Sequence, residues 1–76
     1  MTKNDFLAEL TEILEIDGEL TTEAPLAGTD EYDSLAIMSL IAFIDEHFGL
    51  SFSGEKLGKV KTVKDLISLI GEENIN

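Results

Sequence analysis

The chain has 76 residues, the size of a single domain (residues 1–76) with a modest core. It has no cysteine and one histidine, which excludes disulfides, cysteine-ligated zinc and multi-histidine metal sites. The net charge of −11 disfavours nucleic acid and anionic membranes as partners and favours proteins with basic or mixed surfaces.

The N-terminal segment has the period of an amphipathic helix. Between residues 2 and 16, apolar side chains recur on one face and glutamates occupy the other. Thr2 or Asn4 is a suitable N-cap, and Gly18 suits the left-handed position after the last turn. The pattern predicts a first helix over residues 2–16. No targeting segment is recognisable within it, which favours a cytoplasmic protein.

Residues 19–32 show neither helical nor strand periodicity. Pro25, Gly28 and several Thr, Asp and Glu residues are typical of a loop. Leu20 and Leu26 are its expected tethers to the core. A loop of this length is uncommon in a small domain and is often functional.

Residues 33–48 contain neither glycine nor proline, and nine of the ten residues from 35 to 44 are apolar. Periodicity alone would allow a buried strand here. The uninterrupted length exceeds that of an ordinary strand, so a central helix ending at Gly49 is the better prediction.

The C-terminal third predicts one short and one longer helix. Residues 53–59 are bounded by glycines and allow one or two turns. A further helix begins at Thr62, with Asp65 in a capping-box-like spacing, and ends at Gly71. Residues 72–76 are expected to fray. The predicted fold is an all-α bundle of three main helices and one short helix, with a long loop between the first two.

Three patterns that suggest catalysis or metal binding do not meet the chemical requirements. The glycines at 54 and 58 resemble a phosphate-binding loop, but the spacing is one residue short and no strand precedes them. Ser34 and His47 fall at opposite ends of the central helix, too far apart to share a hydrogen bond. His47 is instead expected to be partly buried. The acidic run 30–33 lacks the central glycine of a calcium loop. We therefore expect no catalytic residue and no metal site.

The central helix has two distinct faces. Ser34 shares one face with six residues, namely Leu35, Met38, Ser39, Ala42, Asp45 and Glu46. The other face must contact the core and carries Ala36, Ile37, Leu40, Ile41, Phe43, Ile44, His47 and Phe48. The first face is apolar or neutral over its first two turns and acidic only at its far end. Met38 is expected in solvent beside Ser34.

Asp33-Ser34-Leu35, at a helix start after a long loop, resembles the attachment motif of acyl carrier proteins. Residues 45–49 and 59–63 are also similar to that family, so the resemblance covers nearly the whole chain. It implies that Ser34 is esterified by 4′-phosphopantetheine, which a separate magnesium-dependent transferase takes from coenzyme A. The thiol of this arm would carry acyl groups as thioesters.

The resemblance also implies a carrier and not an enzyme. Acyl-loading and acyl-transferring enzymes would recognise Asp33 and the Ser34 face of the central helix. In fatty-acid-type carriers the position matching Ser39 is usually acidic. The neutral side chain of Ser39 favours a specialised pathway, and lipid or fatty-acid-related biosynthesis is the other possibility.

Two alternatives remain open at this point. An aminoacyl or peptidyl carrier would share Ser34 and differ only in its cargo. A helical adaptor, a protein of a different class, would leave Ser34 unmodified as a plain helix cap. In each case we expect a monomer.

Overall fold

The computed structural model describes residues 1–75. Four α-helices follow one another in the chain, and a 3₁₀ turn comes after them: α1 (Lys3–Leu14), α2 (Ser34–Phe48), α3 (Gly54–Gly58), α4 (Val63–Ile70) and the turn Glu72–Asn74. The only extended pairing within residues 1–75 is one bridge between Pro25 and Thr62. The prediction of an all-α bundle with one short helix is confirmed.

Each α-helix begins at a side chain that accepts a backbone hydrogen bond. The acceptor caps an amide three residues further on, at 2.8 to 3.2 Å, and the four caps are Thr2, Asp33, Ser53 and Thr62. Such caps satisfy amides that have no partner inside the helix. These local caps explain why each helix begins close to where the sequence predicts it.

The end of α1 differs from the prediction. The helix stops at Leu14, because Glu15 adopts a left-handed conformation with φ 54°. The amide of Ile16 then donates to the carbonyl of Thr11 at 3.1 Å, the bond of a Schellman turn. This reversal brings Ile16 against the core. The predicted extension to residue 16 and the stop at Gly18 are therefore wrong.

All four helices contribute side chains to one core. Phe6 and Leu10 of α1, Leu40 and Ile44 of α2, and Leu57 of α3 are fully buried. The apolar stripe of α4 faces them and comprises Val63, Leu66, Ile67 and Ile70. Burial of this kind is the main source of stability in a chain without disulfides.

His47 does not belong to the buried face. It is exposed, and its ring centroid lies 4.5 Å from that of Phe43. The prediction of partial burial is wrong: the ring lies at the surface, against the buried ring of Phe43. The other predicted core-facing residues of α2 are buried or half-buried.

The long loop between α1 and α2 is paired with the segment that precedes α4. The amides of Leu26 and Ala27 donate to the carbonyls of Lys61 and Val60, at 2.7 and 3.2 Å. The amide of Val63 donates to the carbonyl of Ala24 at 3.1 Å. Leu26 is buried and Leu20 is half-buried, as predicted for tethers. This backbone pairing holds the loop in place ahead of α2.

The C-terminal segment is folded up to Ile75. Gly71, with φ +113°, allows the chain to reverse after α4. Ile75 is 1% exposed and belongs to the core, and the side-chain amide of Asn74 donates to the carbonyl of Ile70 at 3.0 Å. The predicted fraying is therefore wrong for residues 72–75, because burial of Ile75 holds the segment. Asn76 lies outside the described residues.

Candidate functional site

Ser34 is the first residue of α2, and its side chain is exposed. The preceding residue, Asp33, is the N-cap, with Oδ1 accepting from the amide of Ala36 at 2.8 Å. The carbonyl of Asp33 also accepts the first bond of the helix, from Ile37 at 2.9 Å. Asp33 therefore supplies the side-chain cap at this helix start.

This arrangement distinguishes Ser34 from the hydroxyl residues at the other helix starts. Thr2, Ser53 and Thr62 each use their side-chain oxygen to cap a helix. At α2 a carboxylate takes that position, so the interpretation of Ser34 as a plain helix cap is wrong. Its hydroxyl is left at the surface at the positive end of a fifteen-residue helix.

Tyr32 fixes the chain immediately before the cap. Its side chain is buried, and its hydroxyl donates to the carbonyl of Leu57 in α3 at 2.5 Å. Burial raises the pKa of Tyr32 to about 12 from its usual value of 10.0, because the phenolate would lose its hydration. The hydroxyl therefore stays protonated and remains a donor at neutral pH.

A groove of about 550 Å³ lies beside Ser34, between the end of α1, the loop and the start of α2. Leu35, Ala36 and Ile13 supply apolar surface, and Ser39 lies further along α2. Carboxylates form much of the remaining lining: Glu12, Glu15, Asp30, Glu31 and Asp33. The groove beside Ser34 therefore combines an apolar patch with several carboxylates.

The predicted face of α2 lies in solvent. The side chains of Leu35 and Met38 are 72% and 66% exposed. The rest of that face, Ser39, Ala42, Asp45 and Glu46, is also exposed. The structure thus brings these residues to one surface that begins at Ser34. Large apolar side chains left in solvent at its start are suited to contact with another protein.

The other patterns considered from the sequence form no site. Within residues 1–75, no group of three His, Asp or Glu side chains is arranged to hold a metal ion. Ser34 and His47 lie at opposite ends of α2, and the glycines at 54 and 58 bound α3. No helix in this part of the chain is long and apolar enough to cross a membrane.

Comparison with known families identifies the class of protein. The family model described as the phosphopantetheine attachment site matches residues 4–70. The chain therefore belongs to the phosphopantetheine-attachment family. Membership means a covalently attached 4′-phosphopantetheine, so the chain is a carrier protein.

Two curated relatives narrow the class further. The chain is 39% identical over 57 residues to an acyl carrier protein of Coprothermobacter proteolyticus, covering 75% of this chain and 68% of the relative. It is 31% identical over 78 residues to an acyl carrier protein of Petrotoga mobilis, covering 96% of this chain and 92% of the relative. No solved structure matches the chain. The resemblance to acyl carrier proteins is confirmed.

The surroundings of Ser34 fit a phosphodiester-linked arm. The hydroxyl is exposed and not needed as a cap, and the N-terminus of α2 favours the negative charge of a phosphate. The adjacent groove gives an extended arm room to lie against the protein.

The residue that sequence reasoning missed is Tyr32, which was grouped with the acidic run around it. A usable signal was present. Tyr32 is the one aromatic residue of a polar loop and stands directly before the cap, the position of a hydrophobic staple. Its acceptor, Leu57, lies 25 residues away, and no local pattern identifies it.

Proposed function

We propose that Ser34 is the attachment residue and that the chain is a stand-alone acyl carrier, residues 1–76 forming one domain. The observation that carries this proposal is the exposed Ser34 hydroxyl, released from capping by Asp33. In the loading reaction the Ser34 oxygen forms a new bond to phosphorus, and the bond to the adenosine-containing half of coenzyme A breaks. The serine proton passes to a base of the transferase.

The chain's own part is to present that hydroxyl and, afterwards, the arm. A carrier needs no side chain to activate its serine, because the partner transferase supplies the base and the magnesium ion. The arm's thiol then holds an acyl group as a thioester. The absence of cysteine from the chain leaves that thiol without an internal competitor.

We propose that acyl-loading and acyl-transferring enzymes dock on the surface formed by Leu35, Met38, Ser39, Ala42, Asp45 and Glu46. The side chains nearest Ser34 are exposed and apolar, while the acidic pair lies at the far end of α2. A partner with a mixed surface, apolar near its active site and basic beyond it, complements this order. The lack of acidic side chains in the first two turns supports a specialised biosynthetic pathway.

We further propose a cytoplasmic monomer. Loading requires the carrier, the transferase and coenzyme A in the same compartment, which favours the cytoplasm. A net charge of −11 makes two copies repel each other, so the exposed apolar surface is available to an oppositely charged partner.

The proposal is tested by loading in vitro. Incubation with coenzyme A, magnesium and a broad-specificity transferase should add one phosphopantetheine, detected by intact mass and located by peptide mapping. Ser34→Ala should keep its helical circular dichroism and gain no mass. Ser68→Ala, at an exposed serine of α4, is the matched control and should load like the wild type.

Two results would contradict the proposal. One is an unmodified wild-type chain under conditions that load an established carrier, which would favour the adaptor function. The other is Ser34→Ala gaining the same mass as the wild type, which would place the arm elsewhere.

A further inference from the structure

The approach to Ser34 depends on one side chain. Between Leu26 and Ala36, Tyr32 is the only buried residue of the described chain, and the others are exposed or half-buried. An exposed segment of this kind gains little from burial and has many accessible conformations. The position of the segment is therefore determined by the anchors at its two ends and by Tyr32.

Backbone pairing does not extend as far as Tyr32. The last bond to the segment before α4 is that from the Ala27 amide to the Val60 carbonyl. Beyond it, Thr29 and Tyr32 make local turn bonds, at 3.1 and 3.3 Å. Within residues 28–33, the hydroxyl of Tyr32 makes the only hydrogen bond found to a distant element.

The acceptor of that bond belongs to a helix in close contact with α2. A β-carbon at Gly58 would lie 3.8 Å from Cδ1 of Ile37, so the backbone of α3 rests on this side chain. Leu57 itself is fully buried. Both Tyr32, just before Ser34, and Ile37, one turn after it, therefore contact α3.

We propose that Tyr32 is a positioning residue for Ser34, acting through its hydrogen bond to α3. This inference rests on the proposed attachment at Ser34. Without the bond, the segment 29–33 samples other conformations, and the transferase binds productively only to the fraction that retains the native one. A smaller competent fraction raises the apparent KM for the carrier and leaves kcat unchanged.

The variant Tyr32→Phe tests this directly because it removes one oxygen and keeps the ring. We expect the KM of the carrier in the transferase reaction to rise at constant kcat, by at most about fivefold, the factor that corresponds to loss of one neutral hydrogen bond. Helicity by circular dichroism should match that of the wild type.

Ile75→Val is the control for general loss of stability. It removes a buried methylene group in the C-terminal segment, which is no part of the site. This variant should lose a similar amount of stability and keep the wild-type KM. If both variants raise KM equally, or if Tyr32→Phe leaves KM unchanged, the positioning function is wrong.

Amide hydrogen exchange on the wild-type chain gives a second test that needs no variant. Asp33 caps the amide of Ala36. The opening free energy measured at this amide should equal that measured at the amides of Leu57 and Val60. Slow exchange at Leu57 and Val60 together with fast exchange at Ala36 would overturn the proposal. A wild-type chain that accepts no arm would instead contradict the attachment at Ser34, so the two failures are distinguishable.

Discussion

Asp33 and Ser34 separate two functions that a hydroxyl side chain could combine. A serine at the N-cap would have its oxygen engaged by a backbone amide, as Ser53 does at α3. Here the carboxylate caps the helix, and the serine one position later keeps its hydroxyl in solvent. The cap therefore fixes the first turn of α2 and leaves the Ser34 hydroxyl in solvent, as the proposed attachment requires.

The raised pKa of Tyr32 makes stability depend on alkaline pH. Its folded value of about 12 lies above the unfolded value of 10.0, so the unfolded chain loses this proton first. The stabilisation is complete below pH 10 and is lost between pH 10 and 12. Urea unfolding should show a loss of about 1 kcal/mol from this group near pH 11.

Tyr32→Phe is the control for that measurement. It keeps every other residue of the chain, so the difference between the two chains reports on Tyr32 alone. Its free energy of unfolding should fall less than that of the wild type between about pH 9 and 11. Equal pH dependence in both chains would show that Tyr32 does not titrate differently in the folded state.

At the scale of elements, α2 separates an exposed face, which we propose as the partner face, from a core face. Met38 is 66% exposed, whereas Ile44 is 0% exposed. Met38→Glu should change the free energy of unfolding by less than about 0.5 kcal/mol. Ile44→Glu should cost about 3 kcal/mol or more, because it buries an unpaired charge and leaves the core poorly filled. Thermal melts followed by circular dichroism make the comparison.

The same pair tests the docking surface. Met38→Glu should be a poor substrate for the cognate acyl-transferring enzyme. Met38→Gln removes the apolar side chain without adding a charge, so it separates the two effects. If Met38→Glu unfolds the chain while Ile44→Glu is tolerated, the two faces are inverted. Wild-type transfer rates for both Met38 variants would remove Met38 from the docking surface.

The helix starts could be predicted because capping is a local interaction between residues three apart. Thr62 with Asp65 is the clearest case, and the structure shows the bond at 3.2 Å. The end of α1 could not be predicted in the same way. Glu15 adopts a left-handed conformation that is unfavourable for most side chains, and partial burial of Ile16 against the core offsets this cost.

The same distinction applies to the site. Asp33, Ser34 and the exposed face of α2 follow from motif and helical period, since both are properties of adjacent residues. The bond from Tyr32 to Leu57 and the burial of Ile75 depend on distant parts of the chain. Such contacts depend on how the helices pack, and no pattern of neighbouring residues predicts them.

At the scale of the whole molecule, the acidic charge is largely uncompensated. Sixteen acidic residues face five lysines, four of which lie between residues 56 and 64. Within residues 1–75 one ion pair is found, between Lys59 and Glu55 at 3.5 Å, and both side chains are largely exposed. Exposed pairs of this kind contribute little. Repulsion among carboxylates therefore outweighs attraction.

Screening of this repulsion by added salt should therefore stabilise the folded chain. Raising the ionic strength from low to moderate shortens the range of repulsion to about 10 Å. A gain of about 1 kcal/mol would raise the Tm by about 4–8 °C. Calorimetry in sodium chloride, with magnesium chloride at matched ionic strength, should show similar, diffuse increases. A Tm that does not change with salt would contradict the repulsion argument.

The pairing of the loop with the segment before α4 also bears on the order of folding. The bond from Leu26 to Lys61 closes a loop of about 35 residues, which contains the whole of α2 and α3. Closing such a loop from an open chain carries an entropy cost of about 3 kcal/mol. If α2 packs against α3 first, the open chain is shorter, so we expect the pairing to form in a late step. Weakening it should accelerate unfolding and leave the folding rate nearly unchanged. We therefore expect the chain leading to Ser34 to be among the last parts to become ordered and among the first to unfold.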